Sequence, residues 1–242
     1  MKDFVYNVQT NRVVFGSGSI TKLPAEIKRL HVSRPLLLCT PGKRYLADQL
    51  AGIIKDASLD VAGIFAHATA HTPTSVTEQG TSFLGSVSAD CVISIGGGWV
   101  VGLGKAISIR SGVPHISIPT TYSGSEMTPI LGETQDGIKT TQSDPKILPA
   151  VVIYDVDLTL TLPPTICSTS GINAIAHAIE AIYARNANPI TSILGLEGIK
   201  SLAEASPQIV ENPDSNAPGQ FVNGTSSQSL LYAGWIVWTS SC

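Results

Sequence analysis

The segment from Ala89 to Ile109 constrains the fold of this chain most strongly. It opens with an apolar run rich in Val and Ile, which is typical of a strand buried on both faces of a parallel sheet. Three glycines, Gly96 to Gly98, follow, and then an apolar segment of helical length. Such a strand, turn and helix start bind anions, because free backbone N–H groups and the positive helix end point at the turn. A tight turn without a ligand is the alternative that this segment alone leaves open.

Short apolar runs alternate with helical segments over the first two thirds of the chain. Strands are predicted at residues 35–40, 61–65, 89–95, 114–119 and 150–155. This alternation predicts an α/β fold with an open, mostly parallel sheet that helices cover on both faces. Residues 4–15, which alternate apolar and polar around Asn11, add a predicted hairpin at the N-terminus.

Three loops with suitable polar groups follow the carboxyl ends of predicted strands, where ligands of such sheets bind. They are residues 40–42, the three glycines and residues 120–123. Backbone amides and neutral hydroxyls suit a pyrophosphate in a chain with few local cations, so a dinucleotide is the predicted ligand. The candidate contacts are Gly96, Gly97, Gly98, Thr120, Thr121 and Ser123. Polar caps and turns without a ligand are the alternative.

The sequence pattern changes at Pro163. Apolar residues recur at helical spacing from Ser168, a second helix is predicted from Pro189 to about residue 205, and residues 207–224 have the composition of a loop. A short apolar segment follows at 229–238. The sequence therefore predicts two domains, an α/β dinucleotide-binding domain over 1–162 and a helical domain over 163–242.

Three polar residues share one face of the first helix of this second domain. Asn173 and His177 are four residues apart, and Glu180 is three residues further on. A His and an oxygen ligand at this spacing can begin a metal site, but Asn offers only a neutral carbonyl where a divalent ion prefers a carboxylate. The pattern favours the polar lining of a cleft, and no metal site is predicted.

Composition narrows the possible partners and location. Hydrophobic residues make up 43% of the chain and charged residues 14%, with a net charge of −3, which provides no basic surface for nucleic acid or anionic lipid. The four cysteines are far apart, which suggests a reducing compartment. No apolar run is long enough to span a bilayer. We therefore expect a cytoplasmic protein that binds neither nucleic acid nor a membrane.

Three strings together resemble the iron-containing alcohol dehydrogenase superfamily, and within it the maleylacetate reductase branch. They are residues 96–106, 118–129 and 170–181, and the similarity extends over roughly residues 4–210. The resemblance implies a dinucleotide-binding domain, an all-helical domain of dehydroquinate synthase-like architecture, and an active site in the cleft between them. It also implies NAD or NADP as cofactor and, because the family is often dimeric, a homodimer.

The resemblance also implies roles for individual residues. The three glycines would meet the pyrophosphate, Thr120, Thr121 and Ser123 would lie along the cofactor, and Lys146 would lie near its ribose. Metal-dependent relatives carry Asp at the position of Asn173, whereas the maleylacetate reductase branch tends to carry Asn and works without metal. His177 would then bind the substrate or handle a proton. The implied reaction is hydride transfer from NADH or NADPH to the C=C bond of maleylacetate, a small molecule, which gives 3-oxoadipate.

Two departures from the family pattern leave other functions open. Trp99 stands where the family has Ser, and the match fades after about residue 210, so that a truncated helical domain with an uncovered apolar stripe is expected. One alternative is an inactive homologue that binds only a nucleotide or a partner. Another is a lyase of the dehydroquinate synthase type, which needs a metal site that Asn173 argues against.

Overall fold

The computed structural model of the chain describes residues 3–6, 11–185 and 187–211. In this part, six strands form one parallel sheet. They are β1 (Arg12–Gly16), β2 (Pro35–Leu38), β3 (Gly63–Phe65), β4 (Cys91–Gly96), β5 (His115–Pro119) and β8 (Val151–Asp155). Their order across the sheet is β1-β8-β5-β4-β2-β3. The predicted α/β fold with a parallel sheet is confirmed.

Four helices cover the two faces of this sheet. They are α1 (Leu23–Arg29), α2 (Arg44–Asp56), α3 (Thr74–Ser86) and α4 (Gly98–Ser111). Side chains alternate between the faces along each strand, so Leu37 packs with α1 and α2, whereas Leu36 and Leu38 pack with α3 and α4. Burial on both faces explains why β2 and β4 are apolar without alternation.

A two-stranded antiparallel hairpin, which the sequence analysis missed, lies between β5 and β8 in the order of the chain and outside the six-stranded sheet. Its strands are β6 (Ile130–Gln135) and β7 (Ile138–Ser143). Asp136 and Gly137 both have positive φ, at 52° and 79°, as a two-residue turn of type I′ requires. Because Asp-Gly is a preferred pair for this turn, the dipeptide was the available signal.

The predicted N-terminal hairpin is described only in part. Its second half is β1, which pairs in parallel with β8 at the edge of the sheet. Residues 3–6 form no strand, and residues 7–10 lie outside the described residues.

Two long helices follow the sheet. They are α5 (Pro164–Tyr183) and α6 (Pro189–Glu211), which pack against each other. Helix α5 begins before the predicted Ser168 because Pro164 suits a first helical turn, where the missing N–H costs nothing. The predicted loop at 207–224 is wrong up to Glu211, since α6 continues past Pro207. The rest of that loop and the segment at 229–238 lie outside the described residues.

No helix in the described ranges is long and apolar enough to cross a membrane. The division into domains at residues 162 and 163 stays a prediction, and α5 begins next to it.

His115 is a buried polar residue on the face of β5 that α4 covers. Its Nε2 atom lies 2.7 Å from Ser94 Oγ on β4. The ring fills the space beside Gly104, where any Cβ would collide with Nε2. Burial, and to a smaller extent the nearby charge of Lys105, lowers the pKa of His115 to about 3. The imidazole is therefore neutral in the folded protein.

We predict an acid-dependent loss of stability that originates at His115. The unfolded chain takes up this proton near pH 6.5, whereas the folded chain resists it until about pH 3, so the free energy of unfolding falls as the pH drops through this range. The slope reaches about 1.4 kcal/mol per pH unit. Urea titrations between about pH 6 and pH 4 should show a shallower slope for His115→Gln. Equal slopes would contradict the assignment.

Candidate functional site

The glycine turn (Gly96–Gly98) lies at the carboxyl end of β4 and leads into α4. Gly96 has a φ of +150°, and a Cβ there would lie 2.6 Å from Val100 Cγ2, so only glycine fits. Gly97 is the N-cap of α4, and no described side chain caps this end of the helix. The first amides of α4 are therefore available to a ligand, and the helix dipole favours a negative one.

The hydroxyl loop (residues 120–128) follows β5, the neighbour of β4, and overhangs the glycine turn. Thr120 N donates a hydrogen bond to Gly96 O at 3.0 Å, which joins the two loops. A Cβ on Gly97 would lie 3.1 Å from Thr121 Oγ1, and one on Gly98 would lie 3.1 Å from Ser123 Oγ. The two loops are thus packed so closely that a side chain on Gly97 or Gly98 would press against Thr121 or Ser123. We call the surface formed by the glycine turn, the first amides of α4 and these two hydroxyls the recess.

Lys105, two turns into α4, anchors this loop from below. The side chain is fully buried, and Nζ donates to Thr128 O at 2.8 Å, to Ile130 O at 2.9 Å and to Ser125 O. Burial lowers the pKa of Lys105 to about 7, while the nearby Glu126 carboxylate opposes that shift. The three carbonyls hold the ammonium group and so fix the far end of the hydroxyl loop.

Glu126 is the second buried charged residue of this region. Its Oε1 accepts a hydrogen bond from Tyr154 OH at 2.8 Å, and its Oε2 accepts one from Ser123 Oγ at 3.4 Å. Burial raises the pKa of this carboxyl, and the Tyr154 hydrogen bond and the Lys105 charge partly offset the effect. Glu126 therefore positions Ser123, one of the two hydroxyls above the glycine turn.

The sequence analysis assigned no role to Lys105 or Glu126, although a signal was present. Lys105 interrupts a run of apolar residues and glycines that extends from Trp99 to Ile107. A lysine in a helix buried on all sides needs acceptors, so this position predicts a buried polar network. The sequence does not show that the acceptors are backbone carbonyls 20 to 25 residues away.

Lys146 lies away from this group. It lines a cavity of about 280 Å³ with the last residues of α4 and the first residue of β5. Its turn leads into β8, which runs parallel to the other strands, so the turn must lie at the amino edge of the sheet. The glycine turn is at the opposite edge, about 15 Å away along α4. The role of Lys146 near the ribose of a cofactor stays a prediction.

Asn173 and His177 lie one turn apart on α5, as the sequence predicted. Asn173 is exposed, and His177 is partly buried with Nδ1 3.2 Å from Glu180 Oε2. The buried face of α5 carries Cys167 and Ala174, so the two polar residues lie beside that face. Among the described residues, no three His, Cys, Asp or Glu side chains are close enough together to hold a metal ion.

Trp99 occupies the second position of α4 with its side chain half exposed, at 54%. A helical side chain leans toward the N-terminus of its helix, so the indole lies on the side of the glycine turn.

The family model for iron-containing alcohol dehydrogenases matches residues 10–156, and that for the C-terminal part of this family matches residues 167–233. The chain belongs to the iron-containing alcohol dehydrogenase family. Maleylacetate reductase from Rhizobium sp. (strain MTP-10005) is 46% identical over 99% of the chain. Maleylacetate reductase from Sphingobium indicum is 44% identical over 91% of it.

Solved structures of this family have the same fold. The crystal structure of maleylacetate reductase from Agrobacterium tumefaciens matches with a TM-score of 0.93 and 45% identity, over 96% of this chain and 66% of that one. The chain spans 65% of the Rhizobium relative and 62% of the Sphingobium relative. The predicted combination of an α/β domain with a partial helical domain is confirmed.

We predict that Lys105→Met destabilises this family member strongly. The change removes one buried donor on which three buried or partly buried carbonyls depend, which should lower the free energy of unfolding by about 3 kcal/mol or more. Urea-induced unfolding of the full chain measures the loss. Lys139→Met is the matched control, because Lys139 is exposed on β7 and should change stability by less than about 0.5 kcal/mol. Equal losses would contradict the anchoring role.

Proposed function

We propose that this chain is an NAD(P)H-dependent oxidoreductase of the maleylacetate reductase type. The recess between the glycine turn and the hydroxyls of Thr121 and Ser123 is the observation that carries the proposal. Its bare backbone, its helix start and its neutral donors fit a diphosphate. The names of the relatives at 46% and 44% identity support maleylacetate as substrate.

In this proposal the α/β part binds and orients the cofactor. The first amides of α4 hold the diphosphate, and Thr120 and Thr121 donate from the hydroxyl loop. Ser123, whose hydroxyl donates to Glu126, lies along the cofactor as an acceptor. When bound, the reduced nicotinamide supplies a hydride to one carbon of the substrate C=C bond. The other carbon takes a proton, which completes the conversion of maleylacetate to 3-oxoadipate. The recess offers the same donors to NAD and to NADP.

The proton and the orientation of the substrate are assigned to α5. His177 is the proposed proton-handling residue, and its hydrogen bond to Glu180 orients the imidazole. Asn173, one turn away, offers an amide that both donates and accepts, which suits a substrate carbonyl or carboxylate. We assign both residues to the substrate side of the cleft.

We predict that filling the recess abolishes cofactor binding. In Gly98→Val the added side chain displaces Ser123 and covers the helix start, so the Kd for NADH or NADPH should rise at least about tenfold. Titration of the purified chain, followed by quenching of its fluorescence, measures the Kd. Gly85→Val on α3 is the control, because no atom lies within 4 Å of a Cβ there.

Turnover of maleylacetate, followed by the absorbance of the reduced nicotinamide, tests the reaction itself. Binding without turnover would restrict the function to nucleotide binding, and binding of neither cofactor would overturn the proposal.

We also predict that the reaction is independent of metal. Asn173 supplies a neutral amide where a divalent ion prefers a carboxylate. Dialysis against EDTA should therefore leave the rate of maleylacetate reduction unchanged, and added Zn²⁺ or Fe²⁺ should not raise it. A loss of activity that the metal restores would contradict this prediction and indicate a metal-dependent reductase.

A further inference from the structure

Tyr122 connects the hydroxyl loop to the long helices. Its neighbours in the chain, Thr121 and Ser123, overhang the glycine turn. Its own ring packs instead against a buried cluster that α5 and α6 form. The buried members of that cluster are Cys167, Ala174, Leu202 and Ala205. Three consecutive residues therefore contact both the proposed cofactor site and the helical part.

The hydroxyl group of Tyr122 strengthens this connection. It is close enough to Thr159, just after β8, and to Cys167, in the first turn of α5, for both side chains to shift its pKa. Burial raises the pKa of Tyr122 to about 12, against the opposing effect of Thr159. The phenol thus stays protonated. Because the ring also packs against Met127, Val152 and Tyr154, it is held on both sides.

We propose that Tyr122 is a positioning residue that couples the placement of α5 and α6 to the placement of Thr121 and Ser123 above the glycine turn. This proposal rests on the proposed function, in which those two hydroxyls hold the cofactor. The rest of the loop is fixed by Lys105 and Glu126, so Tyr122 is the point at which a shift of α5 reaches the hydroxyls. A change on α5 therefore alters the recess without touching it.

Two substitutions, each of which removes one side-chain group, test this coupling. Tyr122→Phe removes the hydroxyl, and Cys167→Ala removes its partner on α5. Cys91→Ala is the matched control, because Cys91 is an equally buried cysteine at the amino end of β4, away from the loop. Hydrogen exchange followed by mass spectrometry then compares the peptide over residues 120–128 with a reference peptide that begins at Val92 and covers the rest of β4, so that it excludes Cys91. The exchange of this reference peptide reports global loss of stability.

We expect both substitutions to speed exchange of the loop peptide at least about threefold while the exchange rate of the β4 peptide is unchanged. The loop peptide of the double variant should exchange little faster than that of either single variant, because both substitutions remove the same contact. Each should also raise the Kd for NADPH about threefold, although Cys167 lies on another element. Cys91→Ala should change neither quantity.

The proposal is overturned if the loop peptide of Cys167→Ala exchanges at the wild-type rate, or if loop and β4 peptides accelerate equally, as a merely structural role predicts. The exchange measurement needs no nucleotide. A wild-type chain that binds no NADPH would therefore contradict the proposed function, whereas the loop exchange decides the coupling on its own.

Discussion

The buried ammonium group of Lys105 determines the shape of the candidate site. Moving such a group out of water costs several kcal/mol unless acceptors replace its hydration shell. Here carbonyls of the segment from Ser125 to Ile130 replace it. Lys105 belongs to α4, and the first amides of this helix form one side of the recess. The same helix therefore also fixes the hydroxyl loop, which forms the other side. Both sides of the recess are thus held by α4, and the distance between them does not depend on the distant parts of the fold.

In the proposed function, the same arrangement makes the recess an anion site built from neutral donors. Lys105 directs its charge at the protein's own carbonyls, and the buried carboxyl of Glu126 accepts from Ser123 on the inner side of the loop. The remaining attraction for a diphosphate comes from backbone amides and the helix dipole, which act over about one turn. Binding then depends on how closely the backbone approaches the ligand. This explains why Gly96, with its positive φ, and the two glycines under Thr121 and Ser123 all lack a side chain.

The sequence predicts those parts of the fold in which local pattern and tertiary burial agree. The run before Gly96 is apolar because both faces of β4 are covered, and the helix after it follows from the same burial. The β6–β7 hairpin was missed because its strands are largely polar and its signal is the single Asp136-Gly137 pair. The placement of Lys146 near the ribose rests on the resemblance alone and stays a prediction. The roles of Lys105 and Tyr122 depend on contacts between elements distant in sequence, which periodicity cannot show.

The position at which α5 begins determines how Asn173 and His177 are oriented relative to the hydroxyl loop in the proposed active site. Two prolines fix where this helix starts, and Cys167 consequently faces Tyr122 from its first turn. At 100° per residue, Asn173 and His177 then fall about 120° and 80° from the direction of Cys167, on the same side. A start displaced by one residue would rotate both away while the loop stayed in place. Hydride transfer requires reacting atoms about 3–3.5 Å apart. In the proposed function, the contact between α5 and the hydroxyl loop therefore helps to hold the substrate residues of α5 at a fixed distance from the cofactor.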